Sequence, residues 1–181
     1  MQFNKYSEKG AYHWHEYVRG TKYRRHVDRI KNWVKEKKLL DVGAGDGVIT
    51  YKLRATGIDN ELSAVFIAKA LNVNVEYGDA YNLPFPDNSF DAVLMIDVIE
   101  HLDSPEIALR EAKRVSPVLY VATPERQPER RVRDKYHVQE WTREELVEFM
   151  KSNGYTLTGD ILKVDDGDTM YVRFERNLPN T

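Results

Sequence analysis

Three carboxylates stand where short apolar runs end: Asp41 in Leu39-Leu40-Asp41-Val42, Asp59 in Gly57-Ile58-Asp59-Asn60, and Asp79 in Gly78-Asp79-Ala80. After Asp41, Gly43, Ala44, Gly45, Asp46 and Gly47 form a tight loop before Val48–Leu53, which reads as a helix. Glycines let the backbone turn sharply and let a ligand approach the main chain. The first turn of a helix adds N–H groups. Such a loop suits a small ligand at the carboxyl edge of a parallel sheet. It does not suit a dinucleotide phosphate: the third glycine comes one residue early, Val48 holds its place, and Asp41 would repel the anion. A ligand with positive charge and amines to donate fits better. A carboxylate at a strand end, as Asp59 is, can accept hydrogen bonds from a pair of hydroxyls.

A second group could do chemistry. Asp97-Val98-Ile99-Glu100-His101 follows the most apolar run of the chain, Phe90–Ile96. Residues i, i+3 and i+4 share a face if that turn is helical. Two carboxylates and an imidazole on one face can bind Mg²⁺ or Mn²⁺. Alternatively His101 or His137, with Glu100, takes a proton as general base. The third reading is structural, with the pair capping a helix or packing beneath a ligand.

The chain has 181 residues, 41% hydrophobic and 31% charged, which predicts one globular domain over 1–181. Net charge is −2, so no bulk attraction to nucleic acid or membrane follows. Up to Lys38 there are eleven Lys and Arg against four Asp and Glu, so the leading segment is basic and the remainder acidic. There is no cysteine, which removes disulfides, thiolate metal sites and thiol nucleophiles. No apolar run reaches the ~18 residues of a membrane span. A soluble cytoplasmic protein, monomer or homodimer, is expected.

The elements that must position these groups alternate. Residues 1–11 are polar and read as loose. Tyr12–Lys37 reads as helical with a break at Gly20-Thr21, forming a leading segment (1–37) that covers the site. Strand 39–42, helix 48–55, strand 56–59, helix 62–71 and strand 73–77 follow. Leu83-Pro84-Phe85-Pro86-Asp87-Asn88-Ser89 is a loop. Next come strand 90–96, a helix from Ser104-Pro105 to Arg114, and strand 118–122. Thr142-x-x-Glu145 is a capping box for a helix ending at Asn153-Gly154. Residues 155–164 and 169–174 read as an antiparallel hairpin. The expected class is α/β: a doubly wound, seven-stranded, mostly parallel sheet with a C-terminal antiparallel hairpin and helices on both faces.

Asp41-x-Gly43-x-Gly45-x-Gly47 resembles the first motif of the class I S-adenosylmethionine-dependent methyltransferases. That cofactor carries a sulfonium and an α-ammonium. Leu83-Pro-Phe-Pro-Asp-Asn-Ser-Phe-Asp91 resembles the ubiquinone and menaquinone methyltransferase group, with Leu83 or Phe85 packing under the adenine. Together the resemblances cover about residues 37–160. They imply an enzyme that moves a methyl group from S-adenosylmethionine, leaving S-adenosylhomocysteine, to a small-molecule O, N or C nucleophile. They imply cofactor contacts at Asp41, Gly43, Ala44 and Gly45, at Asp59 and Asn60 for the ribose, at Asp79 and Ala80 for the adenine, and at Asp97 and Val98 near the methyl group. One departure is that the segment from Gly47 to Asp59 is shorter than usual for the family, so its helix or its strand is truncated.

Methyl transfer to an activated carbon draws mainly on alignment. No Asn/Asp-Pro-Pro-Tyr motif stands at the fourth strand edge, which argues against methylation of base amino groups or glutamine. Without cysteine, cytosine C5 chemistry is excluded. Asp97-x-x-Glu100-His101, with Thr123-Pro124 and His137 before Glu140-Trp141-Thr142-Arg143, is also similar to the metal motif of small-RNA terminal 2′-O-methyltransferases. An RNA substrate, with a divalent metal on Asp97, Glu100, His101 and His137, is therefore an alternative, although no metal is expected under the leading reading. A non-catalytic methyltransferase-like subunit is a third. Ala11–His15 and the basic run Arg126–Lys135 are both expected on the substrate side.

Overall fold

The computed structural model describes residues 5–126, 135–159, 161–164 and 167–177. They gather into two compact units, Met1–Pro84 and Phe85–Thr181.

In the first unit, helices α1 (Lys5–Lys9), α2 (Tyr12–Val18) and α3 (Lys22–Trp33) precede β1 (Leu39–Val42), α4 (Val48–Leu53), β2 (Thr56–Asp59), α5 (Leu62–Ala70) and β3 (Val75–Tyr77). The strands run parallel in the order β3-β2-β1. β1 is buried along its whole length, Asp41 together with its three aliphatic residues. Gly20, at φ 73°, breaks the leading helix, and the Thr21 hydroxyl caps α3 by accepting from the Tyr23 N–H. Val27 and Ile30 are the buried stripe of α3, which packs on α4.

Residues 5–9 correct the reading of a loose amino terminus: they form α1, with Tyr6 buried. One buried aromatic among charged neighbours leaves no apolar period to read. The leading helix also stops earlier than expected, at Trp33. The short spacing between Gly47 and Asp59 is absorbed in α4, which has six residues and ends at Arg54 in the left-handed conformation.

In the second unit, β4 (Ala92–Ile96) is followed by a single 3-10 turn at Ile99–His101, then α6 (Pro105–Val115), β5 (Val118–Pro124), α7 (Arg143–Ser152), β6 (Tyr155–Leu157), β7 (Leu162–Val164) and β8 (Gly167–Arg176). β4 and β5 are parallel, while β8 joins β5 antiparallel. The expected two-stranded hairpin is instead three strands, because both β6 and β7 pair antiparallel with β8. Gly159 at φ 88° separates β6 from β7. The Thr142–Glu145 capping box is present at α7. Ser104 holds the N-cap position of α6 without a side-chain cap. Arg114 pins the proline loop by donating to the Phe85 carbonyl at 2.7 Å and to Asp87 at 2.9 Å. Leu83 is buried in its own unit, and Phe85 meets Phe90 edge to face at 4.9 Å. Among the described residues no helix is long and apolar enough to cross a membrane.

Candidate active site

The glycine loop of the first unit is tied to the end of β2. The Gly43 and Ala44 N–H groups both donate to the Ile58 carbonyl at 2.9 Å, and the Gly45 N–H donates to Asp59 at 2.7 Å. The Gly47 N–H donates to the Ala44 carbonyl. Four loop amides, those of Gly43, Ala44, Gly45 and Gly47, are thus engaged within the loop and its neighbouring strand. Gly47 has φ 83°, and a Cβ there would lie 2.7 Å from Val73 Cγ1, so a glycine is required.

Asp41 does not face outward. It is buried and accepts from the Thr50 hydroxyl at 2.6 Å, which anchors α4 to β1. Burial pushes its carboxyl up to about 7, the Thr50 hydrogen bond opposes the shift, and the Asp59 charge adds to it. Asp59 is partly exposed. One oxygen takes the Gly45 N–H and the other the Glu61 N–H at 2.8 Å. Burial still raises its carboxyl above the ordinary value, against those two bonds. Asn60 beside it is exposed. Asp79 is exposed and accepts from the Tyr81 N–H at 2.9 Å, forming a small turn that carries Ala80. The first unit therefore brings Asp41, Gly43, Ala44, Gly45 and Asp59 together around one loop, while Asn60, Asp79 and Ala80 follow the ends of β2 and β3.

The leading segment is clipped to the same loop. The Trp14 indole N–H donates to the Asp46 carbonyl at 2.7 Å, and the His13 backbone N–H donates to the Asp46 carboxylate at 3.1 Å. Tyr6, His13 and Asp46 are contacts that the sequence reading did not assign. The Ala11–His15 cluster, expected on the substrate side, meets Asp46 of the glycine loop through His13 and Trp14.

In the second unit, Asp97 follows β4 in the left-handed conformation at φ 55°, its N–H held by the Ala122 carbonyl at 2.8 Å. It lies before the 3-10 turn, so the shared helical face expected for Asp97, Glu100 and His101 does not form. Val98 is buried. Glu100 is buried and accepts from the Thr123 hydroxyl of β5 at 2.9 Å. Burial first, and then the Asp97 charge, raises its carboxyl well above the usual range. The Glu100 carbonyl accepts from the Val138 N–H at 2.8 Å and so draws residues 136–141 against the turn. That places the His101 and His137 rings 4.9 Å apart, edge to face. His101 Nδ1 lies 3.0 Å from the Tyr136 carbonyl and, since a carbonyl only accepts, carries the proton. His137 Nδ1 lies 2.5 Å from the Glu140 carboxylate. Glu100, His101 and His137 each offer a ligand atom within 4.8 Å of the others. Asp97 is not in that group. Glu140, outside that group as well, is the partner of His137 that the sequence reading did not assign, although the spacing His137-x-x-Glu140 allows it.

Of the basic run Arg126–Lys135, Arg126 pairs with Glu145 on α7, and Lys135 sits beside the Tyr136 ring at 4.7 Å. Arg130, Arg131 and Arg133 lie outside the described residues.

Residues 40–117 match a family model described as a methyltransferase domain. The structure of an S-adenosylmethionine-dependent methyltransferase from Thermotoga maritima, described as a possible histamine N-methyltransferase, superposes with TM-score 0.70 at 22% identity, covering 92% of this chain and 99% of that one. Residues 40–117 are thus similar to a methyltransferase domain, and the chain has the α/β fold of that structure, parallel strands followed by C-terminal antiparallel strands. Among individual relatives, ajmaline N-methyltransferase of Rauvolfia serpentina is 36% identical over 96 residues, 45% of this chain and 33% of that protein. Demethylmenaquinone methyltransferase of Thermotoga maritima is 33% identical over 104 residues, 52% of this chain and 45% of that protein. The matched stretch spans less than half of either relative.

Proposed function

We propose that this chain is an S-adenosylmethionine-dependent methyltransferase, acting as one domain in the cytoplasm on an O, N or C nucleophile of a small molecule. The observation that carries the reading is the glycine loop locked to β2 through Asp59, with Asp41 behind it. A loop lined by carboxylates, with the N–H groups of its three glycines and Ala44 engaged, matches a cationic ligand and not a phosphate. The methyltransferase-domain match over residues 40–117 and the small-molecule enzymes among the relatives support the same reading.

In this reading Asp59 and Asn60 receive the ribose hydroxyls, and Asp79 with the Ala80 N–H receives the adenine edge. Asp41, Gly43, Ala44 and Gly45 shape the methionyl end, Asp41 by holding the loop through Thr50. Asp97 and Val98 border the transferred group. When bound, the cofactor supplies a methyl group on a positively charged sulfur. His137, aligned by Glu140, takes the proton of a hydroxyl or ammonium acceptor. His101 stands beside it, and Glu100 holds residues 136–141 in place through its carbonyl.

Titration calorimetry with S-adenosylmethionine and S-adenosylhomocysteine tests this directly. Micromolar binding is expected, with Asp59→Ala losing at least tenfold in affinity. Absence of binding at millimolar ligand would refute the assignment. Binding without transfer, with activity appearing only on addition of a second protein, would instead mark a methyltransferase-like subunit.

One observation favours a second reading. Glu100, His101 and His137 converge closely enough to hold a divalent ion, and both imidazoles are oriented through Nδ1, as metal-ligating histidines commonly are. With RNA as acceptor, a metal there would draw a 2′-hydroxyl toward deprotonation. Dialysis against EDTA separates the two: turnover unchanged supports the small-molecule reading, and turnover lost and restored by Mg²⁺ or Mn²⁺ supports the RNA reading.

A further inference from the structure

Recognition of the methionyl end needs more than carboxylates. That end of S-adenosylmethionine and S-adenosylhomocysteine carries an α-ammonium and also an α-carboxylate. Carboxylates serve the first and repel the second. In the glycine loop the N–H groups of Gly43, Ala44, Gly45 and Gly47 are all engaged internally. Asp41, Asp46 and Asp59 add three acids around them. Those four N–H groups are therefore not available to an entering carboxylate, and a donor from outside the loop would serve it.

The leading segment brings one. Tyr6 on α1 is buried with its phenol against Gly45: a Cβ on that glycine would lie 1.9 Å from the phenol oxygen. The missing side chain of Gly45 therefore makes room for the hydroxyl of Tyr6. Burial keeps this phenol in its neutral, donating form. It lies 3.0 Å from His13 Nδ1. The His13 ring is fixed by stacking on Tyr23, with centroids 4.5 Å apart and planes at 8°, and its backbone N–H is held by Asp46 Oδ2.

Asp46 supplies an independent observation. Its side chain is fully buried, and its other oxygen, Oδ1, has no hydrogen-bond partner among the described residues. The His13 Nδ1 lies 3.6 Å from it. One ring nitrogen thus faces two oxygens and can satisfy one at a time. While His13 accepts from Tyr6, Asp46 Oδ1 goes unsatisfied, a cost borne by a buried acceptor.

We propose that the Tyr6 hydroxyl receives the α-carboxylate of the cofactor, with His13 and Asp46 positioning it. When the carboxylate arrives, the phenol O–H turns from His13 to the anion. His13 then carries its single proton on Nδ1 instead of Nε2 and donates to Asp46 Oδ1. The total number of protons on the three groups does not change. Binding thereby makes one charge-assisted hydrogen bond and repairs one that was missing. This rests on the methyltransferase reading above, because the ligand is that cofactor.

The test compares two ligands by titration calorimetry: S-adenosylhomocysteine and its decarboxylated analogue, which keeps the adenosine, sulfur and amine. Tyr6→Phe is expected to weaken S-adenosylhomocysteine about tenfold while leaving the decarboxylated analogue within about twofold of wild type. His13→Ala should shift the same ratio in the same direction, which keeps the test independent of how either variant folds. Equal weakening of both ligands would reduce Tyr6 to a packing role and overturn the assignment, as would unchanged binding of both. Wild-type protein that binds neither ligand would overturn the methyltransferase reading, and this assignment with it.

Discussion

At the scale of single residues, the two units use their acids differently. Asp41 is an interior strut. Its carboxyl is pushed from the ordinary 3.8 up to about 7, chiefly by burial. The fold therefore favours the protonated form, and this contribution is full below about pH 4 and lost as pH rises through about 7. Asp41→Asn keeps an acceptor for Thr50 without the charge. Its urea midpoint is expected to equal that of wild type near pH 4 and exceed it at pH 8. An equal pH slope in the two proteins would refute this. Glu140 acts on His137 rather than on substrate. Glu140→Gln should lower turnover of a hydroxyl or ammonium acceptor by roughly 10²-fold, with S-adenosylhomocysteine affinity unchanged, as measured by paired kinetics and calorimetry. The strand-end acids were legible because a carboxylate after a short apolar run and before a glycine turn has few other uses. That Asp41 turns inward was not legible, since its partner Thr50 lies nine residues on and meets it only once α4 folds back on β1.

At the scale of elements, most boundaries follow from period and caps. β1, β2 and the start of α7 fall where apolar runs, Asp59 and the Thr142 capping box put them. Thr142→Ala should cost about 1 kcal/mol and lower the melting temperature by roughly 2–4 °C, measurable by circular dichroism. α1 was hidden because only Tyr6 among its five residues is buried. The split of β6 from β7 was hidden because alternation is the same in one long strand and in two short ones on a shared partner. The leading helices carry their own reporter. Trp14 is hydrogen-bonded to the glycine loop, so its fluorescence should change on addition of S-adenosylhomocysteine and should not change in Asp59→Ala at the same ligand concentration. A response of equal size in both proteins would mean that the loop and the leading segment are not coupled through the ligand.

At the scale of the whole molecule, the chain presents two compact units, each with strands, helices and one chemical cluster. If it acts as one domain, urea unfolding should give coincident transitions for Trp141 in the second unit and for Trp14 and Trp33 in the first, read in single-tryptophan variants. Separated midpoints would make the units independent. The sequence by itself determined the α/β class, the order of elements and the acidic glycine loop, because periodicity, caps and turn residues are local properties written in consecutive positions. The tertiary structure decided which side chains meet. Tyr6 reaches Gly45 across thirty-nine positions, and His137 reaches His101 across thirty-six because a backbone bond to Glu100 draws its segment in. Those meetings depend on packing between distant segments, and no local pattern in the chain encodes them.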